Sequence, residues 1–362
     1  MPHQAIRTGF RQARQTPRSR HRDIAQAMGI SEGELVAAHC GTFDTSESPL
    51  RARRLQACWP DIIAALPQLG DVMALTRNEH CVHEKIGTYD NVSAQGPQGQ
   101  EIGLALGKDI DLRLFYGRWA HGFAVQERLH DDQWQRSLQF FDAHGTAIHK
   151  VFLKPQSNLV AYAALTERFG SPDATVGIEA LPPQPAQPEK PDGDIDVAGF
   201  QQAWTALRDT HEFFGMLRRF GVSRTQALRL APQDYAHPLS PASAFELLNR
   251  AAQQGVSIMV FVGNPGLIQI HTGPVKRIEV MGPWVNVLDE GFNLHLREDR
   301  IASAWLVKKP TVDGLVHSLE LFDAQGETIA MLFGERKPGR AELCEWRQIL
   351  APLTPEVEPC AA

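Results

Sequence analysis

The sequence predicts an α+β protein made by tandem duplication, each copy a group of helices followed by a large antiparallel sheet. Three observations carry that expectation. Motifs recur in order: Ser137-Leu138-Gln139-Phe140-Phe141-Asp142-Ala143-His144-Gly145 returns as Ser318-Leu319-Glu320-Leu321-Phe322-Asp323-Ala324-Gln325-Gly326. IDLRL from Ile110 returns as FNLHL from Phe292, Arg118 as Arg300, Met73 and Asn78 as Met259 and Asn264, and Gly29-Ile30-Ser31 as Gly221-Val222-Ser223. The offset drifts only from 181 residues (Ser137 to Ser318) to 192 (Gly29 to Gly221), and chance does not supply five matches in order. The second observation is the run of short alternating segments after residue 70, among them IGLALG, IDLRLFYG and HGFAVQER, which glycine, asparagine and aspartate punctuate as they do antiparallel strands. The third is LPPQPAQPEKPDGD, with five prolines between Pro182 and Pro191 and no apolar pattern, which reads as an extended linker. The expected boundaries are an N-terminal repeat at 1–180, a linker at 181–195 and a C-terminal repeat at 196–362.

Composition bounds the chemistry. The 362 residues are 43% apolar and 22% charged, the profile of a globular protein with room for two cores. No stretch approaches the ~20 apolar residues that cross a bilayer. The opening residues lack the apolar segment of a secretory signal, so a cytoplasmic location without membrane insertion is expected. Five scattered cysteines (Cys40, Cys58, Cys81, Cys344, Cys360) include no CxxC pair, which argues against structural zinc, a disulfide framework and covalent haem attachment. A net charge of −6 offers phosphate backbones no general attraction.

Taken in order, the helices come first. HRDIAQAMGISEGELVAA, residues 21–38, reads as two short helices joined at Gly29, with Ser31 capping the second. That outline also fits a helix-turn-helix regulator. The second helix carries Glu32 and Glu34 and no base, however, and is wrong for a nucleic-acid groove. The arginines from Arg7 to Arg22 read as a solvated helix face. Residues 204–221, WTALRDTHEFFGMLRRFG, place Trp204, Leu207, His211, Phe214 and Leu217 on one stripe of an amphipathic helix. His211 is therefore expected on the buried face, with Gly215 one turn on leaving room beside it. This histidine is either a satisfied core residue or an axial ligand for a haem iron.

A haem needs an imidazole for iron, apolar and aromatic walls, and cations for two propionates. The strand Ile258–Phe261 offers Met259 and Phe261 on one face. Lys308-Lys309 is expected at the end of SAWLV, and Glu335-Arg336-Lys337 after IAMLFG. Arg113, between Leu112 and Leu114, is expected to be half-buried. His80 and His83 are three apart and on a strand would face opposite sides, so a shared metal is not expected; either is exposed, or one is a secondary haem contact. The repeats differ at these positions: His295 stands opposite Arg113, and His211 has no histidine opposite it. One specialised site is expected, near where the halves meet.

ALTRNEHCVHEKIG, the DLRLF strand, WTALRDTHEFFGMLRRFGVSR, GNPGLIQIHTGPV and LFGERKPG together resemble the bacterial HemS/ChuS-type family over nearly the full length. Its members are cytoplasmic hemin-transport or hemin-degrading proteins encoded with haem-uptake systems. The resemblance implies two similar α+β halves, with non-covalent haem b in a cleft between helices and sheet of the C-terminal half. It implies His211 as the metal ligand, Met259 and Phe261 as lining, and Arg113, Lys309 and Arg336 at the propionates. Arg224 would act catalytically from the other side of the ring, and His83 would make a second, weaker contact. Partners implied are hemin, the cytoplasmic side of an importer, and an external electron donor or a downstream haem oxygenase. Some relatives cluster several histidines where this chain has His211 alone, which puts ligand switching in doubt. Enzyme and non-catalytic carrier both remain open, with the nucleic-acid regulator a remote third.

Overall fold

Among the described residues, both repeats of the computed structural model run through the same series of elements. It describes the whole chain except residues 17–19, 42–47, 130–132, 184–187, 337–338 and 355–362. The first repeat comprises α1 (His3–Ala13), α2 (His21–Ala27), α3 (Glu32–Ala37), β1 (Leu50–Arg54), α4 (Trp59–Ala65), β2 (Val72–Arg77), β3 (Cys81–Gly87), β4 (Val92–Gln95), β5 (Ile102–Leu106), β6 (Asp111–Phe115), β7 (His121–Arg128), β8 (Trp134–Phe141), β9 (Ala147–Leu153) and α5 (Leu159–Phe169). The second comprises α6 (Val197–Thr205), α7 (Glu212–Phe220), α8 (Arg224–Arg229), β10 (Ala236–Leu239), α9 (Ser243–Gln254), β11 (Ser257–Asn264), β12 (Leu267–Pro274), β13 (Ile278–Met281), β14 (Trp284–Leu288), β15 (Phe292–Arg297), β16 (Ser303–Thr311), β17 (Gly314–Phe322), β18 (Thr328–Gly334) and α10 (Cys344–Leu350). The strands form two large antiparallel sheets flanked by helices, the expected α+β duplication.

The recurrent Gly-x-Ser motif has a local cause. Gly29 and Gly221 take φ of 68° and 65°, a left-handed conformation that ends α2 and α7 and that glycine adopts at low cost. Two residues later Ser31 and Ser223 cap α3 and α8 through their hydroxyls, Ser31 in a capping box with Glu34. Downstream, β1, β7, β8, β9 and β2 pair in that order, as do β10, β16, β17, β18 and β11. Even the register shift recurs, at Phe140/Phe141 and at Leu321/Phe322.

Two compact units result. The first consists of Met1–Arg77, Glu84–Gln184 and Asn264–Gln269; the second of Asn78–His83, Pro185–Gly263 and Ile270–Ala362. Each unit thus takes in a short turn from the other repeat. Asn78 Nδ2 donates to the Gly263 and Ile329 carbonyls at 3.2 and 2.8 Å, and Asn264 Nδ2 to those of Arg77 and Ile148 at 3.0 and 2.8 Å. This explains why the two asparagines recur. Ends of the proline-rich stretch also have fixed places: Leu181 N–H donates to the Ala143 carbonyl in the first unit, and Gln226 to the Lys190 carbonyl in the second.

In the second unit one sheet face packs Val260, Leu306, Leu319 and Leu332 against α9 and α10. On its other side Val307 and Phe322 meet Trp204, Phe213 and Leu217 of the α6–α8 group. The first unit repeats this, with α4 and α5 over one cluster and α1–α3 over another. Among the described residues no helix is long and apolar enough to cross a membrane.

Candidate functional site

The stretch 204–221 is not one helix. α6 stops at Thr205 and α7 starts at Glu212, and local polar side chains explain the break. The Asp209 carboxylate accepts from the His211 backbone N–H at 2.8 Å, and the Glu212 carboxylate from those of Arg208 and Asp209 at 2.9 and 3.3 Å. Such side chains offer the backbone partners that compete with helical ones. His211 therefore occupies the N-cap position of α7 with its side chain 88% exposed, which corrects the expected burial on an amphipathic stripe. The buried stripe is Phe213, Met216 and Leu217; Phe214 is exposed, and a side chain at Gly215 would meet nothing. His211, Phe214, Gly215 and Arg218 consequently share an outward face.

The ring of His211 is oriented. Its Nδ1 lies 2.6 Å from Asp209 Oδ1, leaving the Nε2 edge for an incoming group. The His211 backbone N–H and ring, with the more distant Arg336 guanidinium, hold the Asp209 carboxyl below its usual range. A carboxylate on one imidazole nitrogen fixes the tautomer and makes the other nitrogen a better ligand.

The sheet supplies a second surface. Pairing aligns Trp305 with Glu320, Glu320 with Met331, and Met331 with Phe261; two residues along, Phe333 aligns with Met259. Alternation puts Val260 and Leu332 into the core, leaving Met259, Phe261, Met331 and Phe333 half-buried on the opposite face. Phe261 and Phe333 meet edge to face with centroids 5.0 Å apart.

Among these apolar groups lies an ion cluster. Fully buried Glu320 accepts from Arg224 Nε and a terminal nitrogen at 2.7 and 2.9 Å, from Lys309 Nζ at 2.6 Å and from Ser318 Oγ at 3.0 Å. Burial alone would push its carboxyl up; Arg224 and Lys309 outweigh that and hold it well below the usual range. Burial pushes the Lys309 ammonium down to about 8, against the pull of Glu320. Both cations lie over the Phe213 ring, at 4.6 Å for Lys309 and 5.3 Å for Arg224. Lys309 is thus inside β16, which continues through Pro310 to Thr311, rather than at a strand end. Beside α7 and α8 a cavity of about 400 Å³ is lined by Phe214, Leu217, Arg218, Val222, Arg224 and Thr328.

The other expected residues are distributed. Arg336, half-buried, is 3.5 Å from Asp313 in the β16–β17 turn, and that turn reaches the His211 loop through Val312 N–H to the Arg208 carbonyl, 3.0 Å. Arg113 is half-buried as expected, but belongs to the first unit, where it pairs with Asp111. His83 is fully buried near Phe292, at 4.9 Å between centroids, so it is not an exposed side chain. His80 is half-buried and 3.5 Å from Asp323. The structure thus brings His211, Arg224, Met259, Phe261, Lys309 and Arg336 into one unit. Sequence reasoning missed Glu320 and Asp209. Glu320 was signalled by the repeat itself, which has neutral Gln139 at that place.

Fold and site define a tandem α+β protein in which one of two like units carries a specialised aromatic and cationic face. Residues 29–169 and 221–353 match the family of haemin-degrading HemS.ChuX domains. The chain is 39% identical over 334 residues to the hemin transport protein HmuS of Yersinia pestis, covering 92% of both chains. The hemin transport protein HemS of Yersinia enterocolitica is 38% identical over 92% of both. Among solved structures, holo-PhuS, a heme-binding protein of Pseudomonas aeruginosa, superposes with a TM-score of 0.91 at 43% identity, covering 98% of this chain and 99% of that one. ChuS, an E. coli heme oxygenase, gives 0.83 at 36% identity over 98% and 99%. The chain belongs to the haemin-degrading HemS.ChuX family.

Proposed function

We propose that this protein receives hemin in the cytoplasm, from the cytoplasmic side of an importer, and either opens the ring with electrons from an external donor or delivers it onward. The observation that carries the reading is His211: an exposed imidazole at a helix N-cap whose Nδ1 is tied to Asp209 and whose Nε2 edge faces out. Two named relatives are hemin transport proteins, and two similar structures are those of a heme-binding protein and a heme oxygenase.

The residues suit a flat, dianionic porphyrin. His211 would hold the iron, Asp209 its tautomer, and Met259 and Phe261 the ring, while Phe214 and Gly215 leave the helix face open to something flat. The cluster of Arg224, Lys309 and Glu320 holds two cations and one anion, so a positive charge remains to attract carboxylates. Arg336, partly exposed, is assigned to the propionates, and Lys309 contributes chiefly through its field; Arg113, which belongs to the other unit and pairs with Asp111, is left out. Buried His83 is left out. Bound hemin supplies the iron and the oxidisable macrocycle, and the chain's own residues bind, orient and donate hydrogen bonds.

One observation favours delivery as a second reading. Arg224, the donor assigned to the open side of the ring, already gives its Nε and one terminal nitrogen to Glu320. The test is titration of the purified protein with hemin, then ascorbate under air. Loss of the Soret band with a bilin and carbon monoxide means ring opening, a persistent band means delivery, and no Soret complex overturns both.

A further inference from the structure

We propose that Glu320 is a positioning residue, which fixes the Arg224 guanidinium beside the cavity and, through Phe213, the first turn of α7, the helix whose N-cap is His211. The inference rests on the hemin reading for its functional consequence, but its structural part stands on contacts alone.

Glu320 is on β17, Arg224 at the start of α8, Lys309 on β16 and Phe213 in the first turn of α7, so one carboxylate gathers four elements of one unit. A two-pronged arginine–carboxylate contact sets direction as well as distance, because the guanidinium is planar and its donors diverge at fixed angles. Arg224 makes that contact at 2.7 and 2.9 Å and also touches Met331 Sδ at 3.1 Å. Its side chain keeps 22% exposure and lines the cavity, so it is held from the sheet side and open on the other. Lys309 is 3% exposed, with Glu320 below it and the Phe213 ring above. Cations against an aromatic face attract it, so the pair draws Phe213 onto the sheet. Phe213 is two residues from His211, and α6 and α8 also pack near it, with Trp204 edge to face at 4.7 Å.

The charge count makes Glu320 the keystone. It is the acid contacting both cations, and Ser318 Oγ donates to the same oxygen that Lys309 uses. Removing the negative charge leaves Arg224 and Lys309 repelling each other in a buried site, and the guanidinium without its two-pronged partner. Arg224 then turns into the cavity and Phe213 loses its anchor.

The experiment compares wild type with E320Q, R224A, R224K and the E320Q/R224A double variant. In the hemin-free protein, amide hydrogen exchange across residues 211–217 is expected to speed up about tenfold in E320Q, with β13–β14 unchanged. Unchanged exchange at 211–217 overturns the positioning of α7, whether or not hemin binds. In the hemin-loaded protein, the pH midpoint of the ferric absorption change is expected to shift by about half a unit in R224A and in the same direction in E320Q. The double variant should shift no further than R224A alone. Additive shifts, or a shift in E320Q with none in R224A, overturn action through Arg224. If E320Q does not fold, R224K replaces it: it keeps the charge without the fork, and wild-type exchange and midpoint in R224K overturn the proposal. Failure of wild type to form any hemin complex removes the hemin reading while the exchange result still decides the positioning role.

Discussion

The two units solve one packing problem with charges of opposite placement. In the first, the residue after the Gly-x-Ser turn is Glu32, buried against the sheet and bonded to Lys150 on β9 and to Arg77 at 2.6 Å. Its carboxyl, which burial would raise, is held well below the usual range by Lys150 and Arg77. In the second unit the same place holds Arg224, and the acid has moved to β17, where Gln139 of the first repeat becomes Glu320. Met331 then stands where the first repeat has Lys150. Both clusters have two cations and one anion, so anchoring α3 or α8 to its sheet is a demand of the fold. What differs is that the second unit carries its arginine on the helix, beside a cavity, and makes its sheet face less polar. The helix in front differs too: α2 exposes Asp23 and Gln26, α7 exposes Phe214, Gly215 and Arg218. Duplication kept the anchor in both units and left the surroundings of one copy to specialise.

That contrast can be broken most forcefully at the acids. E32Q and E320Q each remove the acid shared by one buried lysine and one partly buried arginine, and each should cost about 3–5 kcal/mol in denaturant unfolding. Only E320Q should alter hemin binding; an equal effect of E32Q would show that the anchor serves stability alone. Next in size is H211A, expected to weaken hemin by about 100-fold in a Soret titration, with D209N weakening it about tenfold. An unchanged ferric spectrum in H211A removes the ligand assignment. Acid should then separate the units. Burial holds His149, against the Leu75 carbonyl, down to about 3, and His39, against the Leu35 carbonyl, down to about 4, both from 6.5 and both in the first unit. The unfolded chain therefore takes up protons first, and their stabilisation, complete above pH 6.5, is lost as pH falls towards 4 and below. Glu320 responds only beneath the ordinary carboxylate value of 4.5. Hydrogen exchange at pH 5 against pH 7, corrected for intrinsic rates, should show the first unit loosening while β16–β18 hold. The smallest effect is R336A, expected to weaken hemin about fivefold, roughly 1 kcal/mol, and a porphyrin diester hardly at all. Equal losses for both would remove the propionate role.

Much of the fold was legible because each of its signals is local. Glycine at a left-handed turn, serine at a cap and alternation along β2 or β11 act over a few residues, and the repeat doubled every one of them. The site was legible only in outline. Periodicity placed His211 on a buried stripe because it registers apolar spacing and ignores the hydrogen bonds by which Asp209 and Glu212 end the helical run. The run SAWLVKKP placed Lys309 at a strand end and could not say that the Phe213 ring covers it. Glu320 looked like an ordinary polar position on a strand, since its two cationic partners come from a distant stretch and from across a hairpin. Side-chain pairing between elements is the information a linear pattern does not hold.

The exchanged turns bear on dissection. The second unit counts Asn78–His83 among its own residues, with Cys81 in its apolar core, and the first likewise counts Asn264–Gln269. A gene cut in the proline-rich stretch would therefore encode two fragments, each missing a piece of its interior. Either fragment produced by itself should therefore be less stable than the same unit in the intact chain.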